Sequence, residues 1–229
     1  MPIHFIKDVS FVVNPKETVA FVGATGAGKT TILSLIVRNF EIQKGQILID
    51  DVDIKDIKIN SLRKAIGQML QDVFLFSGTI RSNITLGEDS FDDEEINRVC
   101  EYVNASYFIN KLEKGLDEEV IEKGENFSSG QRQLLSFART VLHKPQILIL
   151  DEATANIDTE TEVLIQESLY KIKNIGTMLI VAHRLSTIQH ADNIIVLNKG
   201  EIIEQGNHQT LLKKRGHYYK LYQLQFEQK

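Results

Sequence analysis

The sequence predicts an α/β fold in which helices cover a mostly parallel sheet. Short runs rich in Val, Ile and Leu alternate with segments of helical period, a pattern typical of parallel strands buried on both faces. The run at 18–23 is followed by a glycine-rich loop and then by an apolar segment at 29–40, which predicts a strand, a loop and a helix. Further strands are predicted at 46–50, 146–151, 178–183 and 193–198, the last turning at Lys199-Gly200 into a hairpin with EIIE.

The middle of the chain has a different texture. Between about residues 72 and 142, strand-like runs give way to charged helical segments such as DDEEINRVCEYV. We therefore predict an α/β core formed by 1–71 and 143–229, with a helical lobe at 72–142 inserted into it. The chain has only three prolines and no Gly/Ser-rich linker, so we expect the two parts to be compactly joined.

Composition narrows the classes of partner. The formal net charge is −5, and the acidic and basic residues are interspersed along the chain. The sequence therefore indicates no polybasic face, and we do not expect binding to nucleic acid. The one cysteine, Cys100, permits no internal disulfide and is expected to be a small buried hydrophobe. No apolar stretch approaches the roughly 20 residues that cross a bilayer. We expect any membrane connection to come through another segment or chain.

The glycine-rich loop GATGAGKT, residues 23–30, fits the pattern G-x-x-x-x-G-K-S/T. Glycines let successive backbone N–H groups turn toward a polyanion, and the following helix directs its positive end at the same phosphates. Lys29 supplies a charge to the outer phosphates, and the Thr30 hydroxyl can bind Mg²⁺. Kinases, GTPases and motor ATPases share this loop, so it predicts phosphate binding without naming the reaction. The predicted cradle comprises Gly23, Ala24, Thr25, Gly26, Ala27, Gly28, Lys29, Thr30 and Thr31.

Two acids follow a predicted strand in ILILDEAT, residues 147–154. Open α/β sheets bind ligands at the carboxyl ends of their strands, so the acids should approach the loop if the two strands are neighbours. Asp151 suits an outer-sphere magnesium role, and Glu152 is placed to polarise an attacking water. The alternative is a strand that ends in solvated acids.

Two further residues and one segment are candidates for contact with phosphate or Mg²⁺, each with a structural alternative. Gln71 follows the short predicted strand AIGQML and could reach Mg²⁺ or water, although a glutamine in a loop is usually a surface residue. His183 ends the run MLIVAH, where an imidazole could bond a terminal phosphate or could be purely structural. The segment 127–140 predicts a helix whose start is another potential anion site, or a simple cap formed by Ser128 or Ser129.

Together these segments resemble the nucleotide-binding domain of ABC transporters from about residue 4 to the C-terminus. The resemblance is closest to the exporter branch, as FLFSGTIRSNI at 74–84 and the whole run 181–208 illustrate. The family's motifs appear in order as GATGAGKT (phosphate loop), Gln71 (Q-loop), FSSGQ at 127–131 (signature), ILILDE at 147–152, Asp158 (D-loop) and His183 (switch).

The resemblance implies a fold and a chemistry. The fold would be a P-loop NTPase core with an inserted helical lobe and an N-terminal antiparallel β portion. The chain would bind ATP and Mg²⁺ and hydrolyse ATP, with Glu152 as the general base and with Gln71 and His183 sensing the γ-phosphate. Thr30, Gln71 and Asp151 would hold the metal, Asp151 through a water.

It also implies partners and a location. Two such domains, identical or different, would close head to tail, so that Ser128, Ser129, Gly130 and Gln131 act on nucleotide held by the partner. A transmembrane exporter domain would contact the chain near Gln71 and near Glu119 in EEVIEKG. The chain would lie at the cytoplasmic face of the cell membrane and power export.

Two departures from the family pattern leave an alternative open. The aromatic residue that stacks on adenine is expected upstream of FIKDVSF, which suggests a chain cut within the first strands, and His4 does not replace it. The signature has Phe127 and Ser129 where the family usually has Leu and Gly. A regulatory module that binds nucleotide in an asymmetric pair, with little hydrolysis, is therefore the second hypothesis. A soluble ABC ATPase of DNA repair or translation fits less well, because the chain has no long coiled-coil or basic insertion.

Overall fold

A computed structural model describes residues 6–70, 73–151, 157–181 and 188–226 of the chain. The described residues divide into two compact units, the first drawn from 1–66, 147–152 and 177–229 and the second from 67–146 and 153–176. The boundaries predicted from sequence, at residues 72 and 142, stay a prediction.

The secondary structure is that of a mixed α/β protein. The strands are β1 (Thr18–Val22), β2 (Leu48–Ile49), β3 (Val52–Asp53), β4 (Ile66–Met69), β5 (Gly78–Thr79), β6 (Glu119–Val120), β7 (Ile147–Asp151), β8 (Thr177–Val181), β9 (Asn193–Asn198) and β10 (Glu201–Gly206). The helices are α1 (Lys29–Ile36), α2 (Ile59–Ala65), α3 (Ile80–Thr85), α4 (Asp93–Tyr102), α5 (Ser106–Ile109), α6 (Ser129–Leu142), α7 (Thr159–Ile172), α8 (His208–Lys214) and α9 (His217–Phe226).

A mainly parallel sheet organises the first unit. Its strands run in the order β10, β9, β1, β8, β7, with parallel pairing except between β9 and β10. The strands β1, β7, β8 and β9 are buried almost throughout, which explains why they appear in the sequence as continuous apolar runs rather than alternating ones. The α/β class and the hairpin at Lys199-Gly200 are thereby confirmed.

Helix α1 packs on this sheet and is shorter than predicted. It buries Ile32, Leu33 and Ile36 but ends at residue 36 instead of 40. Arg38 adopts a left-handed backbone, with φ of 55°, and its guanidinium donates to the carbonyls of Ile54 and Ile57 at 3.1 and 3.2 Å. These bonds to another segment hold the chain in a turn that helical periodicity alone did not indicate.

The N-terminal antiparallel β portion of the first unit is small. The run predicted as a strand at 46–50 contributes only two residues, β2, which pair with β3 in a separate sheet. Asp50 and Asp51 join them with φ of 49° and 65°, the left-handed pair that a tight hairpin turn requires.

The second unit is mostly helical. Helix α6 lies at its centre, contacts α3, α4 and α7, and buries Leu134, Leu135, Phe137 and Ala138. One short antiparallel pair, β5 with β6, is also present, a feature that the sequence pattern did not predict. Of the helices in the described ranges, none is long and apolar enough to span a membrane.

Candidate phosphate site and signature helix

The loop between β1 and α1 depends on two glycines. Gly23 has a φ of 154°, and a Cβ on it would overlap the carbonyl oxygen of Leu197 in β9. Gly28 has a φ of 106°, and its Cβ would stand 2.7 Å from Ile6 Cδ1. A side chain at either position would be strained, and at Gly23 it would also be obstructed by the backbone of β9. Both fixed glycines of the loop pattern are therefore required by backbone conformation, and Gly23 by close packing as well.

The start of α1 lies directly after this loop. Gly28 is the N-cap residue and supplies no side-chain cap, so it satisfies none of the N–H groups of the first turn, which have no partner within the helix. The loop is held from behind, where the Gly200 N–H donates to the Ala27 carbonyl at 3.0 Å. Ala24, Thr25 and Gly26 are exposed. The geometry suits an anion approaching from the solvent side.

Lys29 lies across the loop and is almost completely buried. Its Nζ donates to the carbonyl oxygens of Gly23 and Ala24, at 2.8 and 3.2 Å. An ammonium has three N–H donors, so the two bonds to the loop leave one for a further acceptor. Burial lowers the pKa of Lys29, while the negative charge of Asp151 acts in the opposite direction.

The side chains of Thr30 and Asp151 bring together two oxygen atoms that could bind a metal ion. Thr30 Oγ1 is 3.5 Å from Asp151 Oδ2. Neighbouring ligands in an octahedral Mg²⁺ site lie about 3 Å apart, since Mg–O distances are about 2.0–2.1 Å. Oxygen atoms of hydroxyl and carboxylate groups are also the ligands that Mg²⁺ prefers, so these residues fit the ion.

This proximity has a different origin from the one expected. The sequence suggested that the acids approach the loop if their strands are neighbours, but β8 lies between β1 and β7. Instead, α1 packs against β8, and Thr30 in its first turn reaches the end of β7. The expected meeting of loop and acid is found, although the strands are not adjacent.

Three of the candidate residues lie outside the described ranges. These are Glu152, Gln71 and His183, whose assignments as base, metal ligand and phosphate sensor stay predictions. Glu119 is described, and lies exposed in β6.

The signature segment forms the start of α6. Ser128 is its N-cap: Ser128 Oγ accepts the Gln131 N–H at 3.2 Å, and Gln131 Oε1 accepts the Ser128 N–H at 2.9 Å. Capping by Ser128, offered above as the purely structural alternative, is therefore present. Phe127 is buried with its ring edge-on to Phe108, so this departure from the family pattern fills the core. Ser129, the other departure, is partly exposed, and Gly130 is buried.

Asp158 caps the next helix, α7. Its Oδ1 accepts the Thr161 N–H at 2.9 Å. This bond is the main cause of the lowered pKa of the Asp158 carboxyl, and a bond from the Thr161 side chain adds to it. Thr161 was not singled out from the sequence, because a threonine in the first turn of a helix is unremarkable.

A second residue pair was also missed. Arg139 on α6 donates to the backbone carbonyl of Asn83 at 2.8 Å and to Asn83 Oδ1 at 3.1 Å. Asn83 is itself buried and holds Phe76, accepting its N–H at 2.8 Å and donating to its carbonyl at 2.7 Å. The pair anchors the loop at 74–79 to α6. No spacing rule links positions 83 and 139, so only the three-dimensional structure could reveal it.

The sheet, the glycine loop and the adjacent hydroxyl and carboxylate define a P-loop NTPase fold. Residues 6–155 match the ABC transporter family. The chain is 53% identical over 220 residues to the putative ABC transporter ATP-binding protein exp8 of Streptococcus pneumoniae, covering 96% of this chain and 38% of the relative. It is 51% identical over 224 residues to YheH of Bacillus subtilis, named a probable multidrug resistance ABC transporter ATP-binding/permease protein, covering 98% of this chain and 33% of the relative.

A solved structure gives the same result. The chain is 40% identical to a bacterial Atm1-family ABC exporter with ATP bound, with a TM-score of 0.88 over 95% of this chain and 38% of that one. The chain spans roughly one-third to two-fifths of the length of these proteins. It belongs to the ABC transporter family, in which this domain is an ATPase.

Proposed function

We propose that this chain is the motor domain of an exporter, in which ATP hydrolysis drives movement of a substrate through a transmembrane domain. The observation that carries the proposal is the convergence of Lys29, Thr30 and Asp151 around the glycine loop. The names of its relatives add support, since the B. subtilis relative combines an ATP-binding part and a permease in one protein. The cytoplasmic face of the cell membrane is the proposed location.

Within one chain, the loop N–H groups at 23–31 would hold the nucleotide phosphates, and Lys29 would bond the outer ones. Thr30, Gln71 and Asp151 would hold Mg²⁺, with Asp151 acting through a water. The metal would supply positive charge to the phosphate oxygens. Glu152 would accept the proton of the attacking water, and His183 and Gln71 would bond the γ-phosphate.

A second nucleotide-binding domain would complete the site. Ser128, Ser129, Gly130 and Gln131 would face nucleotide held by the partner, and Asp158 would lie at the same junction. The start of the 14-residue helix α6 supports this, because the positive end of a helix attracts phosphate. The helical lobe at 72–142 would carry the signature residues, and a transmembrane domain would contact the chain near Gln71 and Glu119.

A Glu152→Gln variant tests the proposal. The amide cannot act as a base, so we expect ATP turnover to fall by roughly 100-fold or more, while binding of ATP persists. Size measurements with Mg-ATP should then show a dimer that disappears when nucleotide is removed. Glu113→Gln, at an exposed position, is the matched control and should behave like the parent.

The outcomes separate the two hypotheses. If Glu152→Gln turned over ATP as fast as the parent, Glu152 would not be the base. If the parent formed an ATP-dependent dimer but hydrolysed no ATP, the regulatory binding module would be the better description.

A further inference from the structure

Gly130 lies where the first turn of α6 meets the first turn of α7. A Cβ on Gly130 would overlap the Cγ2 methyl of Thr161 and would stand 3.2 Å from both Thr161 Cβ and Ile157 Cγ2. The backbone of Gly130 is helical, so its conformation does not demand glycine. The demand comes from the neighbouring helix.

The preceding position provides the contrast. Ser129 carries a side chain in the same turn of α6 and is partly exposed. Position 129, on the outer side of the turn, thus has space for a Cβ. Position 130, on the side that packs against α7, has none. If glycine were needed throughout this segment for contact with phosphate, position 129 would be expected to lack a side chain as well.

Thr161 is held in place from its other side. Its N–H donates to Asp158 Oδ1 at 2.9 Å, the bond that caps α7. A β-branched side chain in a helix has few alternative rotamers, so the Thr161 methyl cannot readily turn away from position 130. Thr161 therefore connects the cap of α7 to the signature turn of α6.

We infer that Thr161 is the positioning residue of the signature turn, and that residue 130 must be glycine because of Thr161 in the same chain. The part of the inference that concerns ATP turnover rests on the proposed function. A larger residue at 130 would push the start of α6 away from α7 and would misplace Ser128 and Gln131 relative to the partner's nucleotide.

A double-variant cycle tests this directly. Gly130→Ala introduces the Cβ, and Thr161→Ser removes the Cγ2 methyl while keeping the hydroxyl and the backbone N–H that bonds Asp158. We expect Gly130→Ala to lower kcat by roughly 10- to 100-fold, the effect of misplacing a group by about 1 Å. The affinity of the monomer for ATP should stay near the parent value, because the phosphate loop is untouched.

Adding Thr161→Ser to Gly130→Ala should restore most of the lost kcat. Val163→Ala is the control, since Val163 is an exposed β-branched residue on the same helix, and it should restore nothing. A double variant that regains its melting temperature but stays as slow as Gly130→Ala would overturn the inference, because the glycine would then be needed by the partner's nucleotide itself.

Thermal unfolding decides the steric part even if the parent hydrolyses no ATP. Overpacking costs typically 1–3 kcal/mol, so Gly130→Ala should lower the melting temperature by roughly 2–12 °C. Thr161→Ser should recover most of that loss. Additive effects of the two substitutions would overturn the inference, whatever the fate of the proposed function. If Gly130→Ala does not fold, recovery of folding by Thr161→Ser supports the inference and failure to recover it overturns it.

Discussion

Thr30 Oγ1 and Asp151 Oδ2 lie 3.5 Å apart although 121 residues separate them in sequence. Thr30 belongs to the first turn of α1 and Asp151 ends β7. The negative charge of Asp151 also acts on the ammonium of Lys29 and opposes the effect of burial on the pKa of that lysine. Substitutions of these three residues should therefore change the binding of metal and nucleotide in specific ways.

Asp151→Asn should weaken the binding of the Mg²⁺ that supports turnover. The amide keeps the shape of the side chain but loses its charge, and outer-sphere partners of a metal typically contribute 10- to 100-fold. We expect the Mg²⁺ concentration for half-maximal turnover to rise by roughly that factor. Titration of turnover against free Mg²⁺ measures it, with exposed Asp89→Asn as the control. An unchanged titration curve would remove Asp151 from the metal site.

Lys29→Ala should weaken ATP binding itself. A hydrogen bond to a charged group contributes about 1.5–3 kcal/mol, so affinity should fall roughly 10- to 100-fold. Equilibrium titration with ATP in the absence of Mg²⁺ isolates this contribution, and Lys213→Ala, an exposed lysine, serves as control. Equal affinity in the variant and the parent would show that Lys29 serves only the loop carbonyls.

The same lysine predicts a pH dependence. Burial lowers the pKa of Lys29 from 10.5, so the ammonium loses its proton at a lower pH than an ordinary lysine does. ATP affinity should therefore decline on the alkaline side, starting below pH 10.5, and the decline should be absent in Lys29→Ala. Affinities measured from pH 7 upward test this, and a parallel decline in both proteins would contradict it.

Removing the Arg139–Asn83 pair should destabilise the second unit. Arg139→Ala removes the donor to the buried backbone carbonyl of Asn83. Asn83→Ala removes the acceptor of the Phe76 N–H and of one Arg139 N–H. Each should lower the free energy of unfolding by about 2–4 kcal/mol, and the double variant should lose less than the sum because the two share their bonds. Urea unfolding measures these losses.

Arg98→Ala is the matched control. Arg98 pairs with Glu94 on an exposed helix face, with 68% of its side chain accessible, and such pairs contribute at most about 0.5 kcal/mol. If Arg139→Ala lowered the free energy of unfolding as little as Arg98→Ala does, the segment at 74–79 would be held by other contacts.

Alkaline pH should weaken the packing around α9. Burial raises the pKa of Tyr218 to about 12, and the neighbouring Tyr222 adds to the shift. A tyrosine with a raised pKa stabilises the folded state fully below its ordinary pKa of 10.0, and this contribution is lost as pH rises from there toward 12. Tyr218→Phe should therefore show a shallower alkaline fall in its urea midpoint than the parent does.

Cys100 also contributes to the fall of the urea midpoint at alkaline pH, because burial raises the pKa of its thiol to about 12. This contribution is the same in the parent and in Tyr218→Phe, since both contain Cys100. Tyr170→Phe is the control, since Tyr170 is 69% exposed, and it should keep the steep fall. If Tyr218→Phe also kept the steep alkaline fall in the urea midpoint, ionisation of Tyr218 would not be the cause of that fall.

The strands and the phosphate loop could be predicted because each depends on a local sequence pattern. The continuous apolar runs identified β1, β7, β8 and β9 because strands buried on both faces need apolar residues at every position. The loop at 23–30 was recognisable because its glycines are demanded by backbone conformation, which is a local property. The end of α1 was wrong by four residues because Arg38 is held by carbonyls of a segment further along the chain.

Local sequence patterns were sufficient to predict the α/β class, the phosphate loop and the presence of an acid at the end of a buried strand. Only the folded chain shows that Thr30 meets Asp151 across an intervening strand, that Thr161 excludes a side chain at position 130, and that Arg139 holds Asn83. The reason is physical. Periodicity and turn chemistry act over a few residues, whereas these contacts depend on strand order and on which helix faces pack together, and no local pattern records either.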